Sequence, residues 1–407
     1  MTVADAVSLD RADSLAFARK RFRLPAGTVY LDGNSLGALP VATAERLRAT
    51  VEDQWGNDLI SGWTKHGWID VPKRVAAKLA PIVGAQPNEL LIADSTSVCL
   101  FKLLGAAVRA RPDRRVILTD ARNFPTDTYV AQGLAEMLGL ELRAVAAAEL
   151  AAAVSDEVAV VTLSHVDYRS GARNDIAAIN LSAHAAGALT VWDLSHSAGA
   201  LELALDGTGC DLAVGCCYKY LNGGPGAPAF LFVAERLQAE LQPPLQGWMG
   251  HAEPFAFDSE YRPGAGIVRF LTGTPSILAL AALEAGLDTF EGVSMTDLEA
   301  KSAALSQLFI DEVEARCGDE VQLASPRDAD ARGSHVSFAH ANGYAVMRAL
   351  IARGVIGDFR APDLTRFGFA PLYTSFVEVV RAAEVLAEII TDRSWDRPQF
   401  AERLSVT

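Results

Sequence analysis

The sequence predicts an α/β fold, with a mostly parallel sheet covered by helices on both faces and a smaller α+β unit after it. Three observations carry that expectation. Short runs rich in Val, Leu and Ile alternate with helical segments from about residue 75 to 235, which is the pattern of a parallel sheet buried on both faces. Residues 295–407 then read as a second unit dominated by helices at 296–316, 344–353 and 375–391. The chain has 407 residues, half of them hydrophobic, enough for two domains and one extensive core.

The elements follow in order. Residues 8–23 read as a helix leading to the extended TVYLDGNSLGALP, and VATAERLRATVEDQWGNDLI (41–60) carries apolar residues at helical spacing. VPKRVAAKLAPIVGA (71–85) is a helix, ELLIADSTS (89–97) a strand and loop, and VCLFKLLGAAVRA (98–110) a helix. RVILTD (115–120) and ELRAVA (141–146) are strands flanking the helix TDTYVAQGLAEMLG (126–139). VAVVTLSHV (158–166), ALTVWDLSH (188–196), CDLAVGCC (210–217) and APAFLFVAE (227–235) complete the strands, with a helix over 174–187. Residues 242–275 are irregular, and a loop that long inside a compact protein is usually functional. SILALAALEAGLDTF (276–290) opens a helical linker to the second unit.

Composition narrows the function classes. A formal net charge of −14 argues against nucleic acid or an anionic membrane as the main partner, because both need a basic face. The five cysteines include no CxxC pair, which disfavours a disulfide framework or a zinc site and points to a reducing cytoplasm. The acidic N-terminus does not read as a signal peptide, and no apolar stretch reaches the length of a membrane-spanning helix. The expectation is a soluble cytoplasmic protein.

Open α/β sheets bind ligands beyond the carboxyl ends of their strands, and four such ends carry suggestive residues. Ser95, Thr96 and Ser97 start a helix, where hydroxyls and backbone N–H groups either cap it or seat a phosphate. RNFPTD puts Phe124, Thr126 and Asp127 at the next rim; Phe124 either closes the core or stacks on a flat ring. Asp193 ends the strand of WDLSHSAGA, with His196 three residues on, and is placed to cap a helix or to pair with a ring nitrogen. Lys219 lies in CCYKYLNGGPG, between an apolar run and a glycine-rich turn, where a free ammonium is costly to desolvate. A lysine held as an imine escapes that cost. A phosphate seat, a stacking ring, a ring-nitrogen acid and a lysine are together the parts that a pyridoxal phosphate enzyme needs. No GxxxxGK[ST] loop, dinucleotide GxGxxG or HExxH competes with that reading, and His165, His184 and His196 have no metal-ligand spacing.

YLDGNSLG (30–37), FPTD (124–127), DLSHSAG (193–199), YKYLNGGPG (218–226), GWMG (247–250) and RFGFAPLYTSF (366–376) resemble the kynureninase family, within the fold type I pyridoxal phosphate aminotransferase superfamily. The likeness runs from about residue 28 to 380. It implies a seven-stranded sheet in a large cofactor-binding domain (61–280), a small C-terminal domain (281–407) and an N-terminal segment (1–60) packing with the small one. It implies that Lys219 holds the cofactor as an imine, Asp193 pairs with the pyridine nitrogen and Phe124 stacks on the ring. Thr96, Ser97 and Tyr218 hold the phosphate, reached by Trp248 and Thr274 of the second subunit of a homodimer. Asp127, Ser164 and His196 line the cofactor, Arg366 grips the substrate α-carboxylate, and Ser35 and Trp63 approach the substrate. The implied reaction is hydrolysis of L-kynurenine to anthranilate and L-alanine through a ketimine, with Cβ–Cγ cleavage and Tyr218 as acid. That places the enzyme in tryptophan and kynurenine catabolism or NAD biosynthesis.

Two alternatives stay close to that reading. Relatives that prefer 3-hydroxykynurenine carry histidine and asparagine at the positions of Trp63 and Thr274, so plain kynurenine is the expected substrate here. A cysteine desulfurase or lyase of the same superfamily needs a thiol on a mobile loop of the second domain, where the only cysteine is Cys317 at a helix end.

Overall fold

A computed structural model of the chain describes residues 1–403. Seven strands form the large sheet: β1 (Leu90–Ala93), β2 (Val116–Asp120), β3 (Glu141–Val145), β4 (Val158–Ser164), β5 (Leu189–Asp193), β6 (Leu212–Cys216) and β7 (Ala229–Val233). Their order is β1-β7-β6-β5-β4-β2-β3. Strands β2 to β6 pair in parallel, and β7 runs antiparallel to both neighbours, β6 and β1. Every residue of β2, β4, β5, β6 and β7 is buried, which is why these runs are mainly apolar. The parallel direction brings the carboxyl ends of β1, β2, β4, β5 and β6 to one rim of the sheet.

The second unit is built on a four-stranded antiparallel sheet of β8 (Gln322–Leu323), β9 (His335–Ala339), β10 (Asp358–Arg360) and β11 (Leu364–Gly368), in the order β8-β9-β11-β10. Its helices, Met295–Cys317, Gly343–Ala352 and Phe376–Thr391, fall within a residue or two of the sequence expectation. Apolar packing separates into two cores. One runs from Leu15 to Leu298 and takes in Ala370, Leu372 and Tyr373; the other gathers Leu305 to Phe400 with Ala6, Val29 and Leu31.

The N-terminal stretch stitches the two units together. Val29–Tyr30 pairs in parallel with Val355–Ile356, and Gly368 N donates to the Leu31 carbonyl at 2.7 Å. A few residues on, Gly37 N donates to the Tyr218 carbonyl at 2.8 Å. YLDGNSLG is thus a strap between the small sheet and the lysine loop.

The helix expected over 8–23 is divided instead. Helix Val3–Ala12 starts early because Thr2 and Asp5 form a capping box. It stops at Asp13, whose carboxylate accepts from Leu15 N at 2.9 Å and pairs with Lys301 Nζ at 2.7 Å. A side chain that bonds the backbone locally competes with helix continuation, and a short 3₁₀ turn over Ala16–Arg21 follows.

Candidate active site

The rim of the large sheet encloses a cavity of about 230 Å³. After β6 the chain turns sharply: Asn222 N bonds the Lys219 carbonyl at 2.9 Å, Gly223 N bonds the Cys217 carbonyl at 2.8 Å, and Asn222 adopts φ +59°. The turn holds Lys219 at the cavity wall, with Nζ 3.1 Å from His196 Nε2. The lysine is therefore half-buried and partnered rather than buried alone in the core.

Asp193 closes β5 on the same cavity. Ser195 fixes its Oδ1 twice, through the hydroxyl at 2.6 Å and the backbone N–H at 2.9 Å, and the Ser195 hydroxyl in turn accepts from Cys216 N at 3.1 Å. Asp127 lies against Asp193 and Ser164; burial first, and then the neighbouring Asp193, push its carboxyl well above the usual range, which favours a proton on Asp127. Ser164 is oriented by Asn123, whose Oδ1 accepts from the Ser164 backbone N–H at 3.0 Å and the hydroxyl at 2.8 Å.

Helix Thr96–Arg109 aims its N-terminus at the cavity, capped by Ser95, whose hydroxyl accepts from Val98 N at 3.4 Å. The N–H groups of a first helical turn have no partner inside the helix, so Thr96 and Ser97 present donors and a positive dipole end. Phe124 caps helix Pro125–Leu138 at the cavity mouth and meets Tyr168 edge-on, ring centroids 5.2 Å apart. Tyr218 completes the wall beside Cys216, and burial raises its phenol above the ordinary value.

Arg366 in β11 is buried deeper. Its Nε donates to Asp358 Oδ1 at 2.7 Å, Nη2 pairs with Asp358 Oδ2 and donates to the Ser35 hydroxyl at 3.0 Å, and Nη1 donates to the Tyr168 carbonyl. Asn34, with its amide oxygen turned to the guanidinium, accepts from Nε at 3.0 Å and Nη2 at 3.2 Å. Burial pushes Asp358 up, but the Arg366 charge and its bonds outweigh that and hold the carboxyl below its usual range. Asp32, on the same strap, is raised to about 7 by burial and by Asp358.

Among the residues expected at the site, the structure brings Thr96, Ser97, Phe124, Asp127, Ser164, Asp193, His196, Tyr218 and Lys219 around one cavity. Ser35 sits on Arg366 behind it. Trp63 packs edge-on against Trp68 at 5.8 Å, outside the cavity wall. Trp248 stacks on the exposed Phe257, and Thr274 is exposed, so neither meets the cavity of its own chain. Sequence reading missed Ser195, Asn123, Tyr168 and Asp358. Ser195 and Asn123 carried a signal, since they sit inside the quoted DLSHSAG and RNFPTD stretches.

The chain is 49% identical over 411 residues to a kynureninase of Pseudomonas fluorescens, covering 99% of both sequences. The chain belongs to the kynureninase family. A kynureninase of Burkholderia mallei strain SAVP1 is 48% identical over 414 residues, the whole of both chains, and the kynureninase C-terminal domain model matches residues 298–386. The fold is that of pyridoxal phosphate enzymes of type I. A cysteine desulfurase of Thermococcus onnurineus NA1 superposes with a TM-score of 0.79 at 20% identity, covering 93% of this chain and 98% of that one. A variant of C-DES with glycine covalently linked to its PLP cofactor superposes at 0.78 and 19% identity, covering 91% and 99%. Cys317 is buried at the end of helix Met295–Cys317, and burial raises its thiol to about 11.

Pyridoxal phosphate fits the residues that this kynureninase-family cavity presents. Donors at a helix N-terminus suit a phosphate, a buried carboxylate braced by Ser195 suits a protonated ring nitrogen, and a half-buried amine stands on the same wall. His196 stands on the same wall with its Nε2 beside the Lys219 amine, and its buried Nδ1 has no hydrogen-bond partner among the described residues.

Proposed function

We propose that this chain hydrolyses L-kynurenine to anthranilate and L-alanine at the Lys219 cavity, with pyridoxal phosphate as cofactor. The observation that carries the reading is the convergence of Lys219, Asp193 and the Thr96–Ser97 helix start on one cavity, in a chain that aligns over its whole length with kynureninases. When bound, the cofactor supplies a conjugated electron sink that allows heterolytic cleavage of bonds around the substrate α- and β-carbons. The chain supplies the rest. Thr96 and Ser97 hold the phosphate, Asp193 keeps the ring nitrogen protonated, and Phe124 covers a ring face. Lys219 carries the α-proton. The neutral Tyr218 phenol delivers a proton to the β-carbon as the Cβ–Cγ bond breaks, while the oxygen of one water ends in the anthranilate carboxylate.

Arg366 meets the substrate carboxylate from behind the cavity. Asp358 and Ser35 lock the Nε and Nη2 side, so the Nη1 bond to the Tyr168 carbonyl is the contact that yields to the incoming carboxylate. Trp63 and Thr274 stand where relatives that prefer 3-hydroxykynurenine carry histidine and asparagine, and that difference supports a preference for plain kynurenine over the 3-hydroxy compound.

The active site is shared in a homodimer on this reading. Phe255 and Phe257 are 65% and 76% exposed and pack with Trp248 as an aromatic patch, the kind of surface that a second subunit covers. Trp248 and Thr274 then reach the partner's phosphate seat. A reducing cytoplasm suits the five buried, unpaired cysteines. The test is anthranilate fluorescence on adding L-kynurenine to the purified protein, with 3-hydroxykynurenine in parallel. Absence of anthranilate from a yellow, cofactor-loaded enzyme refutes the activity, and equal or better kcat/KM on the 3-hydroxy compound refutes the preference.

A further inference from the structure

His335, the first residue of β9, is fully buried in the small unit, and both of its ring nitrogens lack a hydrogen-bond partner among the described residues. Its ring centroid lies 5.1 Å from that of His196, tilted by 54°. His196 Nδ1 is the third unpartnered buried nitrogen of the two rings. His196 Nε2 meets Lys219 Nζ on the other side. Three orphan imidazole nitrogens in one dry contact are unusual, because a buried polar atom left unmade costs about 1–3 kcal/mol. At this ring spacing, a rotation of either imidazole about χ2 points a nitrogen of one at a nitrogen of the other.

The chemistry of the flanks gives the pair a direction. The groups facing His196 are Lys219, His335, Arg366 and Arg360; those facing His335 are Arg366, Asp358 and Lys219. Burial first, and then these mostly cationic neighbours, keep both rings neutral, His335 down to about 3. A neutral imidazole has one N–H and one lone pair. The Asp167 backbone carbonyl lies close enough to His335 to favour a proton on it, though not at hydrogen-bond geometry. A proton placed toward Asp167 leaves the other His335 nitrogen as an acceptor.

We infer that His335 is a positioning residue for the lysine: it accepts from His196 Nδ1–H, which fixes the His196 tautomer with the Nε2 lone pair facing Lys219 Nζ. The chain of donors runs Lys219 to His196 to His335 to the Asp167 carbonyl. Its effect is to stabilise the protonated lysine nitrogen, both as a free ammonium and as an imine with the cofactor. The second effect rests on the proposed function, whereas the tautomer does not. Gly171, in a left-handed conformation (φ +74°), lies close to the His335 backbone, where a β-carbon would collide with the His335 carbonyl oxygen.

Two measurements test it. In the cofactor-free protein labelled with ¹⁵N-histidine, His196 is expected as the Nδ1–H tautomer; an Nε2–H tautomer overturns the inference, whatever the cofactor does. In the loaded enzyme, the pH midpoint of the visible absorbance reports protonation of the lysine nitrogen. His335→Leu removes the acceptor and is expected to lower that midpoint by about half a pH unit or more. His335→Gln, which keeps an acceptor for His196 and a donor for Asp167, is expected to stay within about 0.2 unit of the wild type. An unshifted Leu variant, or a Gln variant shifted as far as Leu, overturns the inference. Should the Leu variant fail to fold, the tautomer measurement and the Gln variant decide. A wild-type protein with no visible band after loading overturns the cofactor reading instead and leaves the tautomer result standing.

Discussion

Gly37 stands directly under the Lys219 carbonyl, and a β-carbon there would collide with that oxygen and with the Asn222 backbone. The neighbouring contact is equally close, because Gly37 N bonds the Tyr218 carbonyl at 2.8 Å. The last residue of YLDGNSLG is therefore glycine so that the strap can lie flat against the lysine loop. Gly37→Ala forces backbone to shift rather than a flexible side chain, an overpacking cost of about 1–3 kcal/mol. The expected outcome is a lowered Tm together with weaker cofactor retention, read from visible absorbance after gel filtration. An unchanged Tm with full absorbance would show that the contact has slack.

Asp127 holds its proton more tightly in the folded protein than in the unfolded chain, because burial and Asp193 raise it while Lys219 opposes them only in part. Rising pH therefore deprotonates the unfolded chain first and draws the equilibrium toward it. Stability of the cofactor-free protein is expected to fall as pH rises above about 4, the ordinary carboxylate value. Asp127→Asn mimics the protonated acid without the titration. Urea unfolding of the cofactor-free variant should find it more stable relative to wild type at pH 8 than at pH 5. A difference that does not change with pH refutes the protonated Asp127.

The buried Arg366–Asp358 pair leads to two different losses. Asp358→Ala leaves the guanidinium uncompensated and is expected to cost about 3–5 kcal/mol of stability. Arg366→Lys keeps the charge but gives up the fork, with its contacts to Ser35, Asn34 and the Tyr168 carbonyl. For the lysine variant, loss of charged hydrogen bonds worth about 1.5–3 kcal/mol predicts a KM for kynurenine raised about tenfold or more. Steady-state kinetics on a shortened ketone lacking the α-carboxylate supply the control, since that substrate should discriminate little between wild type and variant. A KM that stays at the wild-type value removes Arg366 from substrate binding.

Most of the large unit was legible because most of its strands are buried on both faces, so each of these is a mainly apolar run between turn residues. The cavity rim was legible for the same reason: Thr96, Phe124, Asp193 and Lys219 sit where such runs stop. The helix over 8–23 was misread because nothing in periodicity shows that Asp13 will pair with Lys301, nearly three hundred residues away. Asp358 and His335 were invisible for a related reason. Each lies in a short strand of the small unit: the antiparallel register of β10 and β11 sets Asp358 opposite Arg366, and His335 meets His196 only where the small unit packs on the large one. The strap showed itself as a motif, YLDGNSLG, without its purpose, since the two surfaces that it joins are separated by some 150 residues of sequence.

Tyr218 offers the sharpest separation between binding and chemistry. Burial raises its phenol, with further contributions from Cys216 and Asp193, so the hydroxyl keeps its proton throughout the range in which the enzyme would work. Its backbone is fixed independently by the Gly37 bond, so removing the hydroxyl should leave Lys219 where it is. General acids of this kind contribute about 10²–10⁴-fold to rate. Tyr218→Phe is therefore expected to retain visible absorbance and near-normal KM while kcat falls by at least about a hundredfold. Rapid quench should then show that bond cleavage, not substrate binding, has slowed. If kcat survives, the proton reaches the β-carbon from elsewhere, and Lys219, the other proton carrier on that wall, becomes its source.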